Sequence, residues 1–75
     1  MTTLDTLDSG HEATVVDVGG PRTMRRRLME MGILPGTRVR LVRKSALHGV
    51  LELEVRGCNL TLRRHEAGRL SVDVA

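Results

Sequence analysis

The sequence is 75 residues long, with 12 Lys and Arg against nine Asp and Glu, no Phe, Trp or Tyr, and one cysteine. A chain of that length holds one domain with a thin core, burying about 60% of the surface its unfolded form exposes; one cysteine excludes an intramolecular disulfide and fits a reducing compartment such as the cytoplasm. The missing aromatics remove the stacking platforms of single-strand nucleic-acid binders, and no stretch nears the about 18 apolar residues of a membrane span.

Charge is uneven along the chain. Residues 1–20 carry Asp5, Asp8, Glu12 and Asp17 with no Lys or Arg, and all 12 basic residues follow Gly20. The segment "ATVVDV" (13–18) alternates as a strand and closes on Gly19 and Gly20. From Pro21 to Met31 the spacing predicts a short helix, with Met24, Leu28 and Met31 on one apolar stripe. Gly32 suits the left-handed position after its last turn, where Ile33 folds back on Leu28, and Pro35 and Gly36 prevent continuation.

Beyond that stop, "TRVRLVRK" (37–44) and "VLELEVR" (50–56) alternate apolar with charged residues and form a hairpin around "SALHG". Its register sets Leu41 opposite Leu53, and Arg40 opposite Glu54 as a cross-strand ion pair. "RGCN" turns into "NLTLR" (59–63), with Leu60 and Leu62 inward, and "RLSVDV" (69–74) follows with Leu70, Val72 and Val74 inward. Five short strands with one inward face fit a mainly β fold. It is a small, strongly bent antiparallel barrel that hides its edges, with the helix between the first and second strands over one open end. No repeat or linker divides the chain, so residues 1–75 read as a single domain.

The order "RRRLMEMGILPGT", "VRLVRKSAL", "LELEVRGCNLTLRRHEAGRLSVDV" resembles the FeoA family, small cytosolic proteins of bacterial ferrous iron uptake. The resemblance runs from about Leu4 to Val74 and is most specific at Arg27, Leu28, Met31 and Gly32 followed by Pro35 and Gly36, with "LRRHEA" (62–67) before the last strand. It implies an SH3-like barrel, shared with the C-terminal module of diphtheria-toxin-repressor-like metalloregulators, whose N-terminal helix-turn-helix has no counterpart here. It also implies a partner, the FeoB permease with its cytosolic GTP-binding domain. This chain departs from family members that carry proline between the second and third strands: Ala46 and Val50 stand at those positions.

The candidate partner-binding residues are Arg25, Arg26, Met29, Leu47 and His48. Arg25, Arg26 and Arg27 spread over about 200° of helix surface, so they do not converge on one phosphate. A solvated face is the simpler reading of all three, with Arg27 near Glu30 as an intrahelical pair. Met29 lies about 130° from the centre of the apolar stripe and is expected to be partly exposed, where a methionine repacks against varied shapes. Leu47 and His48 sit at the hairpin tip. His48, Cys58 and His65 are the soft metal ligands, without the close spacing of a metal motif, so no metal or cofactor is expected beyond weak, unassigned transition-metal binding. No glycine-rich phosphate loop or nucleophile triad appears. The resemblance implies a non-enzymatic accessory that docks on a FeoB-like permease, and the residues give no expectation of membrane insertion or nucleic-acid binding. The alternatives are a basic nucleic-acid-binding barrel and a stand-alone transition-metal sensor.

Overall fold

The alternating segments pair into one sheet of six antiparallel strands in the computed structural model, which describes residues 2–74. In chain order these are β1 (Thr2–Thr3), β2 (Glu12–Val18), β3 (Arg38–Ser45), β4 (Val50–Val55), β5 (Cys58–Arg63) and β6 (Leu70–Val74). A helix, α1 (Arg22–Glu30), joins β2 to β3, and a four-residue helix, α2 (Arg64–Ala67), joins β5 to β6. The sheet order is β1-β6-β2-β3-β4-β5. It is the expected mainly β architecture, with one more strand and one more short helix than the sequence indicates.

The β3–β4 hairpin has the expected register: Leu41 faces Leu53 and Arg40 faces Glu54, whose side chains meet at 3.3 Å. Pairing then shifts between Leu41 and Arg43. Strict alternation after Leu41 would turn Arg43 inward. The irregularity leaves Val42 unpaired and turns Arg43 out to Glu52, 2.6 Å away. A second shift between Val15 and Asp17 marks the pairing of β2 with β6. Such irregularities bend and twist strands, which lets so short a sheet curl around its own core.

That core contains Val15, Val39, Leu41, Leu51, Leu53, Leu62, Leu70 and Val72 from the strands, with Leu28 of α1 and Ile33 after it. Leu60, expected inward, is only partly buried against this cluster. Val74 corrects the sequence reading: at the end of β6 it is 50% exposed, although its cross-strand partner Ala13 is fully buried. The N-terminal segment contributes more than its polar sequence suggests. Leu4, in a 3-10 turn over Leu4–Thr6, and Leu7 just after it are both buried, while Thr2 and Thr3 add β1 to the outer edge of β6.

Candidate docking surface

The helix α1 is set by its two ends and one buried residue. Pro21 precedes its first turn with φ −58°, close to the value its ring imposes. At the other end Gly32 adopts φ +93°, a left-handed conformation that costs glycine nothing. The Gly32 N–H donates to the Met29 carbonyl at 3.0 Å and the Ile33 N–H donates to the Leu28 carbonyl at 3.1 Å, the paired bonds that close a helix around a left-handed glycine. The exit loop is fixed to β2, since the Gly36 N–H donates to the Val15 carbonyl at 2.7 Å and the Val15 N–H to the Thr37 carbonyl at 2.8 Å. Leu28 is fully buried, with Met24 and Met31 partly buried against the same core, as the stripe requires.

Clamped in that way, α1 turns its opposite face outward. Arg22, Arg25, Arg26, Met29 and Glu30 line an open depression of about 520 Å³. Arg25 and Met29 also border a second hollow of about 260 Å³, completed by Asp17, Val18 and Pro35. Met29 is 39% exposed, so it and Arg25 form a ridge between two hollows, one rich in cations and one holding the Asp17 carboxylate.

The arginine triplet divides. Arg27 pairs with Glu66 of α2, a correction to the expected intrahelical partner Glu30. Glu66 is only 4% exposed, and its Oε1 accepts the Arg63 N–H at 2.9 Å. A carboxylate withdrawn from water needs a charged partner far more than the exposed Glu30 does, so it takes the arginine within reach. Arg25 and Arg26 make no ion pair among the described residues, which leaves both available to a partner.

Leu47 and His48 stand apart from this ridge. Both are exposed in the turn between β3 and β4, and neither lines either hollow beside α1 or the third depression, of about 400 Å³, around Glu12, Arg38, Arg40, Glu54 and Arg56. That third depression mixes signs: Arg38 meets Glu12 at 3.8 Å and Arg40 meets Glu54 at 3.3 Å, so it is no cradle for an anion. Among the described residues no three His, Cys, Asp or Glu side chains gather as a metal site. Cys58 is free and exposed.

A profile of the FeoA domain matches residues 2–74. The chain belongs to the FeoA family. Its relatives include the Fe(2+) transport protein A/Fe(2+) transporter FeoB fusion protein of Porphyromonas gingivalis, 30% identical over 71 residues; these make up 95% of this chain and 8% of the fusion protein. This FeoA domain therefore spans a small part of the curated relative it matches. The zinc complex of Stenotrophomonas maltophilia FeoA, a prokaryotic SH3 domain protein, is 34% identical and superposes with a TM-score of 0.80, covering 97% of this chain and 91% of that one. A manganese-dependent transcriptional repressor shares the fold at 20% identity, with a TM-score of 0.94 over 99% of this chain and 36% of the repressor. The SH3-like barrel expected from the resemblance is the fold of this FeoA domain. No helix among the described residues is long and apolar enough to cross a membrane.

Proposed function

We propose that this FeoA domain is a non-enzymatic, cytosolic accessory of ferrous iron uptake that docks on a FeoB-like permease and modulates it. The observation that carries this reading is the Porphyromonas gingivalis fusion, in which a matching segment and a FeoB transporter share one chain. Where the two are separate chains, a surface contact must supply the proximity that fusion gives by covalent linkage. The ridge on α1 suits that contact. Met29 offers an adaptable apolar anchor, and the unpaired Arg25 and Arg26 favour an acidic partner surface. Leu47 and His48 lie outside this docking face. Ferrous ion is the cargo of the permease in this reading, and no resident metal is assigned to the domain. The zinc in the Stenotrophomonas maltophilia structure supports at most weak transition-metal binding here.

Co-purification with the FeoB-like permease of the same cell, in mild detergent, tests the reading. Met29→Asp should reduce recovery roughly tenfold, the effect of losing one well-packed apolar anchor, with an unchanged circular dichroism spectrum because the residue is part-exposed. Undiminished recovery by a folded Met29→Asp, Arg25→Glu, Arg26→Glu variant would remove α1 from the interface.

A further inference from the structure

The turn between β3 and β4 joins an exposed apolar point to unneutralised positive charge. Leu47 is 88% exposed, more than any other large apolar side chain among the described residues. It is also firmly presented: the Gly49 N–H donates to the Ser45 carbonyl at 2.8 Å, and the Arg64 N–H donates to the Gly49 carbonyl at 2.9 Å, fastening the turn to the first residue of α2. Arg63 lies opposite Val50 across β4 and β5, and Lys44 is the penultimate residue of β3 before the turn. Lys44, Arg63 and Arg64 form no ion pair among the described residues. His48 and His65 are exposed at the same end.

The carboxylates nearby are occupied or set back. Glu52 pairs with Arg43, Glu66 is buried against Arg27, and Asp5 lies beside Gly68 at the far end of α2. Leu47 projects from the turn and lines none of the depressions described above.

We propose that this turn is a peripheral lipid-contact site, placing Leu47 in the headgroup region of a bilayer containing anionic lipid, with Lys44, Arg63 and Arg64 against the headgroup phosphates. A protruding leucine needs a yielding surface, and the cations around it need negative charge; an anionic leaflet supplies both. A nucleic acid would use the cations and leave the leucine in water. With one leucine and no aromatic residue, attachment is weak and reversible. The inference does not depend on the α1 docking face.

Co-sedimentation with vesicles tests it, using phosphatidylcholine alone and phosphatidylcholine with roughly a third phosphatidylglycerol. The wild-type domain should bind the anionic vesicles and not the neutral ones. Leu47→Asp should weaken binding at least roughly tenfold, as expected when a leucine loses its apolar contact. Arg63→Gln with Arg64→Gln should do the same, and Met29→Asp should change nothing. The exposure of Leu47 keeps Leu47→Asp folded, which circular dichroism checks; if it unfolds, Leu47→Ser takes its place. Equal binding by wild type and a folded Leu47 variant, or equal binding to both vesicles, overturns the proposal. So does tighter binding to a single-stranded oligonucleotide that Leu47→Asp leaves unaffected, which would make the patch a nucleic-acid site.

Discussion

Glu66 shows how one residue ties two helices together. Its carboxylate accepts the Arg63 N–H at the start of α2 and meets Arg27 of α1, while being almost wholly buried. Replacing it with alanine leaves an uncapped N–H and an arginine without its partner, at a cost of about 1–3 kcal/mol. Glu30→Ala, at an exposed position with no ion pair among the described residues, should stay within about 0.5 kcal/mol. Urea denaturation of the two variants measures the difference, and equal midpoints would mean that Glu66 contributes nothing specific. The sequence could not show this pair. Spacing along one helix offered Arg27 the neighbour Glu30, whereas Glu66 reaches it only after the chain has passed through three strands. Met29 was legible for the opposite reason: its exposure follows from helix phase, which is local.

Elements with a sustained period were equally legible. The α1 stripe, the left-handed Gly32 and the register of β3 against β4 all follow from spacing, since side chains at fixed intervals share a face. The four-residue α2 and the two-residue β1 are too short to carry a period, and each forms because a neighbour supplies its hydrogen bonds or buried contacts. The irregularity at Val42 escaped for a related reason, as nothing in an alternating pattern announces where it skips. The β4–β5 turn offers a test. Arg56 has φ +53° and Gly57 φ +79°, the pair of positive values that a two-residue hairpin loop of this kind demands. Arginine suits that conformation poorly and asparagine suits it well. Arg56→Asn should therefore raise stability by about 0.5–1 kcal/mol, seen as a melting temperature several degrees higher. A lower one would show that the Arg56 side chain makes a contribution that outweighs its backbone strain.

For the whole molecule, closure of a thin core is the governing problem, and the N-terminal segment takes part in it. Leu4 and Leu7 are buried, although the surrounding sequence is polar. Removing residues 1–7 should cost more than about 3 kcal/mol, since two buried leucines contribute about 1.5–3 kcal/mol each. A truncated domain with an unaltered urea midpoint would contradict their place in the core. The barrel class was readable because every long strand has one apolar face; its manner of closing was not, because that depends on this unpatterned segment. Candidate surface residues divided in the same way. The sequence reading put Arg25, Arg26, Met29, Leu47 and His48 in one candidate set, and only the folded chain shows that Leu47 belongs to a separate region.

The place of β6, between β1 and β2, has a consequence for the order of assembly. Both neighbours leave the ribosome first, so each keeps an unsatisfied edge until β6 emerges. The β3–β4–β5 meander pairs with what has already been made and is free to form early. Closure thus waits for the last strand, and a ribosome stalled before Leu70 holds a nascent chain with two sticky borders, a natural target for chaperones.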